Sequence, residues 1–267
     1  MKIKGMLYYM EQLLFVPRCV GCDIRLGQED ADGEGNIPPL CPECMNQYIM
    51  MKESSCPVCM DKLKNCLCTT YDMRRQGLSR MVKLFRYEPR QTDLPSNRLI
   101  YALKHKDLRI VTEFLARELA PLVRKHVRNP EEWCLAYAPR SKKRRRVLGF
   151  DQSERLAKAL SKELQIPVID CLVRHSSAGV QKTLNRTQRF LNMRSSFEVK
   201  PRISLAGRKI LLVDDIVTTG ATLTAAATTL RKSGAKTVVA IAPGAAYRHV
   251  TPAQRRRASK KYKVSFR

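Results

Sequence analysis

The apolar and polar residues in the later three quarters of the chain follow the pattern of alternating strands and helices. Residues 210–213 are consecutively apolar, which predicts a buried parallel strand. Apolar residues at helical spacing over 223–230 predict a helix directly after it, closed by Ser233 and Gly234. A further strand at 237–242 completes a strand–helix–strand series, which indicates parallel pairing.

The segment upstream continues the same alternation. Helical spacing of apolar residues predicts a helix at 111–122, and a short apolar run predicts a strand at 133–138. Asp151 and Glu154 have the spacing of a capping box at the start of the next helix, and 167–170 is predicted as a strand. We therefore expect an α/β domain with a doubly wound, mostly parallel sheet.

Cysteines characterise the first quarter of the chain, which holds eight of the ten. They come in pairs separated by two residues or one, a spacing at which two thiolates on a tight turn face one metal ion. Two pairs complete a tetrahedral site, so we predict a small zinc-ribbon domain with two structural zinc ions. Disulfides would need an oxidising compartment, and interleaved pairing of the cysteines stays open. The simplest grouping is sequential, with one ion held by Cys19, Cys22, Cys41 and Cys44 and the other by Cys56, Cys59, Cys66 and Cys68.

The first 16 residues have an amphipathic pattern, with Leu7, Met10, Leu13 and Leu14 on one helical face. An acidic residue interrupts the stretch and no cleavage site of small residues follows, so we interpret it as a docking helix and not as a signal peptide. No apolar run approaches the ~20 residues of a bilayer crossing. We predict a cytoplasmic protein without membrane insertion.

The most specific motif lies between the predicted strand at 210–213 and its helix, where two acids precede a small, hydroxyl-rich turn. Unpaired backbone N–H groups and the dipole at a helix N-terminus favour an anion, so we expect the turn to bind phosphate. Paired carboxylates at the carboxyl end of a parallel strand suit ribose hydroxyls and a hydrated Mg²⁺. The acids are Asp214 and Asp215, and the turn consists of Thr218, Thr219, Gly220, Ala221 and Thr222.

This run resembles the signature with which type I phosphoribosyltransferases bind phosphoribosyl pyrophosphate (PRPP). An ordinary strand–turn–helix is a weaker explanation, because the acids and hydroxyls occur in the order that the ligand needs. A P-loop is excluded, since the chain contains no Gly-x-x-x-x-Gly-Lys-Ser/Thr. In an enzyme of this type, Asp214 and Asp215 are the catalytic pair at the ribose, and Lys104 and Arg140 are candidates for binding the departing pyrophosphate. The acceptor that replaces the pyrophosphate stays open.

A closer resemblance covers nearly the whole chain. A cysteine-pair domain followed by a phosphoribosyltransferase-like domain is similar to the ComF (ComFC) family. The resemblance implies a zinc-ribbon domain at 1–71, a phosphoribosyltransferase-like domain at 72–250 and a basic tail at 251–267. The matching positions are Phe85-Arg86-Tyr87, residues 99–104, Pro139-Arg140, residues 149–152, Gln181, Leu184, Arg189, Asn192, Phe197 and the PRPP run.

The family resemblance implies a role in natural competence, with single-stranded DNA and a helicase as partners. Two function classes stay open at this point. One is a PRPP-dependent phosphoribosyltransferase that needs magnesium. The other is a catalytically inactive zinc-ribbon DNA-binding competence factor that uses the PRPP site for regulation.

The charge of the chain favours anionic partners. Fifty lysines and arginines oppose 24 acids and leave a formal charge of +26. The basic residues cluster at 140–146, around Arg189 and in the tail at 255–267, which favours a binding surface over an ordinary solvated face.

One family position departs from the common pattern. The family commonly has Arg-Gly-Phe-Asn-Gln where this chain has Leu148 to Gln152, so an arginine is lost and an amide has become Asp151. Arg145 or Arg146 is a candidate substitute for that arginine. For Asp151 a helix-capping role and a ligand-binding role are equally supported by the sequence.

Overall fold

A computed structural model defines the fold. Three predicted features lie outside the residues that the structure describes. They are the docking helix at 1–16, the family positions from 181 to 192 and the basic tail at 251–267. In the part of the chain that is described, no helix combines the length and apolar character that a bilayer crossing needs. The structure describes residues 17–31, 33, 35–175 and 196–247.

The cysteine-rich segment consists of tight turns and two helices. Helix α1 (Pro42–Lys52) begins directly after Cys41 and has proline at its first position, where the missing N–H costs nothing. Helix α2 (Tyr71–Arg75) is capped by Thr70, whose side chain accepts a hydrogen bond from the Met73 backbone N–H. Short 3₁₀ turns lie at Gln28–Asp30 and Leu63–Asn65.

The rest of the described chain alternates strands and helices, as the pattern predicts. Each strand of the main sheet is buried, and each long helix turns one apolar face inward. In chain order the elements are β1 (Met81–Val82), β2 (Phe85–Arg86), α3 (Pro95–His105), α4 (Arg109–His126), β3 (Trp133–Tyr137), α5 (Lys142–Leu148), α6 (Gln152–Leu164), β4 (Leu172–Arg174), β5 (Phe197–Val199), β6 (Lys209–Val213), β7 (Ile216–Val217), α7 (Ala221–Lys232), β8 (Thr237–Ile241) and β9 (Gly244–Ala245).

Four of these strands form a parallel sheet in the order β1-β8-β6-β3. Alternate residues of each strand face opposite sides. Leu211 and Val213 pack with α3, α4 and α6, whereas Ile210 and Leu212 pack with α2 and α7. Helices therefore cover both faces of the sheet, which confirms the predicted doubly wound α/β class.

Three strands of this sheet break and then resume. Strands β2, β9 and β7 pair in parallel in the same order as β1, β8 and β6, from which each is separated by two residues. In the β6–β7 break, those two residues are Asp214 and Asp215. The acids consequently lie at the carboxyl end of a central strand, the edge where open α/β sheets bind ligands.

Two local predictions need adjustment. Residues 167–170 do not form a strand of the sheet, because only Val168 pairs, in an isolated parallel bridge with Leu135. The capping box before α6 is half formed. Asp151 caps the helix, but the side chain of Glu154 pairs with Arg145 and Lys158 at the surface.

Candidate functional site

The two acids at the β6–β7 break are buried and held by neighbouring side chains. Asp214 is 8% exposed and Asp215 is 6% exposed. The first two residues of α6 supply the contacts. Ser153 donates its hydroxyl to Asp214 Oδ1 at 3.1 Å, and Gln152 donates its amide to Asp215 Oδ2 at 2.5 Å. Helix α6 therefore fixes the orientation of both carboxylates.

Two cations face the same carboxylate. Lys104 Nζ and Arg140 Nη2 each lie 3.9 Å from Asp215 Oδ2. Lys104 is at the end of α3 and Arg140 follows β3, so the fold brings together residues from distant parts of the chain. This juxtaposition places both positively charged groups beside the acids, as a pyrophosphate-binding role requires.

Asp151 organises the segment that carries Arg140. Its Oδ1 accepts from the backbone N–H groups of Ser153 and Glu154, and its Oδ2 accepts from the backbone N–H of Arg140 at 2.6 Å. One buried carboxylate thus caps α6 and ties it to the turn after β3. The capping role of Asp151 is confirmed, and the family asparagine would offer one oxygen fewer for these bonds.

Burial dominates the electrostatics of the site. Burial, followed by the charge of Asp215, raises the pKa of Asp214 to about 8. Burial also lowers the pKa of Arg140, against the opposing effect of Asp215. A carboxyl of this kind is stabilised in its charged form by a cation or by hydroxyl donors.

The turn after β7 leads into α7 as predicted. Gly220 is the N-cap of the helix at φ +77°, a left-handed conformation that glycine adopts without strain. Thr218 is exposed and Thr219 is half-buried, and Thr219 Oγ1 accepts from the backbone N–H of Ala221 at 3.3 Å. We call residues 218–222 the phosphate loop. It presents a helix N-terminus beside the acids.

The segment after the last cysteine packs on this loop. Thr70 donates its hydroxyl to the Thr219 carbonyl at 3.3 Å. Met73 is fully buried and lies so close to Gly220 that a Cβ there would stand 2.1 Å from Met73 Cγ. The glycine is therefore required both by its φ angle and by this contact.

The eight cysteines form two clusters in sequential grouping, Cys19, Cys22, Cys41 and Cys44 in the first and Cys56, Cys59, Cys66 and Cys68 in the second. Within each cluster the sulfur atoms all lie within 4.8 Å of one another. Sulfur atoms 2.3 Å from one tetrahedral ion are about 3.8 Å apart, and the Cys22–Cys41 and Cys59–Cys66 separations are 3.7 and 3.5 Å. Both clusters therefore fit zinc. All eight thiols are free.

The acidic pocket also fits a polar ligand. Arg140 Nε and Gln152 Oε1 are buried without a hydrogen-bond partner, although the groups around them are polar. Both atoms belong to side chains that contact Asp215. A ligand with donors and acceptors at this point would satisfy them.

The basic run after Arg140 forms a separate surface. It folds as α5, and Lys142, Lys143, Arg144 and Arg146 are exposed. Arg145 pairs with Glu154 at 3.1 Å, and Arg146 is exposed. Whether either residue substitutes for the family arginine stays a prediction. The surface stands directly beside the turn that carries Arg140.

Several site residues were not identified from the sequence. Ser153 and Gln152 follow a predicted cap, and their position in the first turn was the available signal, since that turn faces the sheet edge. Lys83 is fully buried in the β1–β2 break and contacts the second cysteine cluster. No sequence pattern marks a lysine of this kind, because lysine is ordinarily exposed.

Comparisons with known proteins agree with this architecture. A family model described as phosphoribosyl transferase domain matches residues 143–265. Competence protein ComFC of Streptococcus pneumoniae is 27% identical over 203 residues, which are 74% of this chain and 84% of that protein.

Two further relatives match a shorter stretch. DNA utilization protein YhgH of Escherichia coli O157:H7 is 33% identical over 91 residues, and Competence protein F of Haemophilus influenzae is 30% identical over 92 residues. Each match covers 34% of this chain, and it covers 39% and 40% of the two relatives. The transferase-domain match, the paired cysteine clusters and these relatives together show that the chain is similar to ComF-type competence proteins.

Proposed function

We propose that this protein binds PRPP with Mg²⁺ at the β6–β7 break. The observation that carries the proposal is the convergence on one point of two buried acids, two cations and a helix N-terminus. Asp215 lies 3.9 Å from both Lys104 and Arg140, and the phosphate loop starts three residues after it. These are the groups that a phosphorylated ribose carrying a pyrophosphate needs.

Each part of the ligand has a matching part of the site. The phosphate loop binds the 5′-phosphate through backbone N–H groups and threonine hydroxyls. Asp214 and Asp215 accept hydrogen bonds from the ribose hydroxyls, and Lys104 and Arg140 bind the pyrophosphate. Magnesium, when bound, neutralises charge on the pyrophosphate oxygens, and carboxylates together with waters are suitable ligands for it.

We further propose that the site supports transfer of the phosphoribosyl group, with release of pyrophosphate. The C1–O bond to pyrophosphate breaks as the bond from the acceptor forms, and positive charge develops on the ribose ring. The two carboxylates beside the ring stabilise that charge, so catalysis is mainly electrostatic positioning. The role of catalytic pair falls to Asp214 and Asp215.

Calorimetric titration of Mg²⁺–PRPP into the zinc-loaded protein tests the binding step. The wild type is expected to bind, and Asp215→Asn is expected to lose the ligand while it keeps the shape of the side chain. Asp93→Asn is the matched control, because Asp93 is a 90% exposed aspartate remote from the carboxylate pair in sequence. The absence of binding by a folded wild type would contradict the proposal, and pyrophosphate release with candidate acceptors then tests turnover.

The names of the relatives support a role in competence and DNA use. Within that role, the proposed partner is single-stranded DNA. The basic surface of α5 supports the second candidate function, a DNA-binding competence factor that uses the PRPP site for regulation. Five cationic side chains are exposed there beside Arg140, and one of them, Arg145, pairs with Glu154. A helicase partner, a cytoplasmic location and the division of the chain at residues 71 and 250 belong to the same proposal.

Salt dependence tests the DNA part. The logarithm of affinity for single-stranded DNA falls by about 0.7 per phosphate contact for each logarithmic unit of salt. Arg144→Glu with Arg146→Glu is expected to flatten that slope, since both side chains are exposed, while Arg145 is left to its pair with Glu154. An unchanged slope would remove α5 from the DNA surface. Retained DNA binding without pyrophosphate release would favour the second candidate.

A further inference from the structure

The second cysteine cluster is joined to the phosphate loop by a short chain of buried contacts. It begins at Lys83, which is 0% exposed. Lys83 Nζ donates to the Cys66 carbonyl at 3.0 Å, to the Cys68 carbonyl at 3.1 Å and to Cys66 Sγ at 3.4 Å. An ammonium group has three N–H donors, so these three contacts use all of them.

A zinc ion in the second cluster would account for an ammonium group at this buried position. Four thiolates around Zn²⁺ carry a net charge of about −2, which favours a buried cation at the sulfur. A lone buried ammonium is costly, and a lone buried dianion is costly too, whereas the two together offset each other. Lys83 lies in the β1–β2 break of the sheet, so this pairing attaches the cluster to the catalytic domain.

A second attachment comes from β9, the strand that pairs with β2. Tyr247 follows β9, and its hydroxyl donates to the Cys68 carbonyl at 3.0 Å. The Cys68 carbonyl therefore receives one bond from Lys83 and one from Tyr247. The backbone directly before Thr70 is held in place by both.

The chain then passes from Cys68 to the loop within five residues. Thr70 bonds the Thr219 carbonyl, and Met73 fills the space against Gly220. Both contacts are made to the backbone of Thr219 and Gly220, directly before α7 begins. A change in the position of Thr70 or Met73 must move the phosphate loop, since interiors are close-packed.

We infer that the second cluster is a metal-dependent buttress of the phosphate loop, with Lys83 and Met73 as positioning residues. Loss of a thiolate ligand or of the zinc ion weakens phosphate binding, whereas the same change in the first cluster does not. The inference names a regulation of the PRPP site and so rests on the proposed function for its effect on that ligand. Zinc supply is the condition to which such a site responds.

Hydrogen exchange of the peptide that spans residues 218–224 tests the buttress without any ligand. Cys59→Ser and Cys22→Ser are matched, since each removes the most exposed cysteine of its cluster. Exchange is expected to rise at least tenfold in Cys59→Ser and to stay at the wild-type rate in Cys22→Ser. Equal rates in all three proteins, or an equal rise in both variants, would overturn the inference.

Two further variants test separately the contact of Lys83 with the cluster and the contact of Met73 with the loop. They also provide the test if Cys59→Ser does not fold. Lys83→Met keeps four thiolates and is expected to lower zinc affinity in the second cluster by about 10–100-fold, as loss of a group that supports metal ligands typically does. Lys62→Met, at an exposed ion pair in the same ribbon, is its control. Met73→Ala is expected to keep two zinc ions and still raise exchange in the loop. Unchanged exchange in both Lys83→Met and Met73→Ala would overturn the inference.

PRPP titration of the same proteins separates this inference from the proposed function. If the wild type binds PRPP, Met73→Ala is expected to bind at least tenfold more weakly than Cys22→Ser. If the wild type binds none, the proposed function fails, and the exchange comparison still decides whether the buttress exists.

Discussion

The two cysteine clusters have the same ligand set and very different surroundings. The first cluster packs through α1 on the side of the sheet that α3, α4 and α6 cover. There Tyr48 lies 5.9 Å from Phe85 and 5.4 Å from Phe114 between ring centroids, and its hydroxyl donates to Glu118. The second packs on the opposite core, against the phosphate loop, through Met73. Two metal clusters with equivalent ligands can therefore support different parts of a protein, depending on the surface that each one covers.

The difference implies separable effects of mutation. A defect near the first cluster is expected to cost stability and leave the phosphate loop intact. A defect near the second is expected to reach the ligand site. The predictions that follow test this contrast at progressively smaller effects.

Tyr48→Ala is expected to give the largest loss of stability. Tyr48 is fully buried between two aromatic rings, and truncation of such a side chain costs about 3–5 kcal/mol. Denaturant unfolding measures the loss, and the affinity of the folded fraction for PRPP is expected to stay at the wild-type value. Weaker PRPP binding by that folded fraction would remove the contrast between the clusters.

Gly220→Ala is expected to affect both stability and binding. An alanine at φ +77° costs about 1–2 kcal/mol, and crowding against Met73 adds about 1–3 kcal/mol. In the double variant, Met73→Ala relieves the crowding but not the strain of the φ angle, so the loss of unfolding free energy should be smaller than the sum of the two single losses. Strict additivity in this cycle would show that the close contact carries no energy.

Asp151→Ala tests the opposite side of the ligand site. The substitution removes the N-cap of α6 and the acceptor for the Arg140 N–H, with an expected cost of about 1–2 kcal/mol and weaker PRPP binding. Asp151→Asn keeps an oxygen acceptor and should lose much less. An equal loss in both variants would mean that the negative charge matters more than the cap.

The pH dependence of PRPP affinity is the smallest of the predicted effects. The pKa of Asp214 is raised to about 8, so in the free protein this group holds its proton below that pH. Ligand or Mg²⁺ binding favours the charged form, and affinity should therefore rise with pH by at most about tenfold per unit until about pH 8. Calorimetry across that range checks the slope. Cys22→Ser should give the same dependence of affinity on pH. An affinity that falls as pH rises would contradict the role of Asp214 as the group that loses its proton on binding.

The same raised pKa affects stability with the opposite sign. The folded protein binds this proton more tightly than the unfolded chain, whose Asp ordinarily titrates near 3.9. The contribution to folding is fully present below that value and is lost as pH rises through the folded pKa. Ligand-free protein is therefore less stable near pH 8 than near pH 5 as far as this group is concerned.

Local patterns predicted much of the fold and the centre of the site. Helix α7, strand β6 and the cap at Asp151 follow from apolar periodicity and from side chains that act on their own backbone. The short spacing within each cysteine pair limits how far its two thiolates can separate, so the pairs were predictable. Which two pairs share one cluster was left open by the spacing and is given by the structure. The acids between β6 and the phosphate loop could be identified from the sequence, because these elements follow one another directly in the chain and are also adjacent in the fold.

Contacts between distant segments were not predictable in the same way. Lys83 and Cys66 meet only in the folded protein, and a single lysine between apolar residues gives no sign of burial. Val168 and Ile169 are apolar and β-branched like strand residues, yet only Val168 pairs, and proline at 167 has no N–H for a ladder. Such features depend on tertiary packing and not on local periodicity.

A crystal structure of the zinc-loaded protein with Mg²⁺ and PRPP is the most direct test of the account. We expect the 5′-phosphate at the backbone N–H groups of the phosphate loop, the ribose hydroxyls on Asp214 and Asp215, and Met73 in contact with Gly220. PRPP bound elsewhere, or a loop that holds the phosphate without touching Met73, would contradict it.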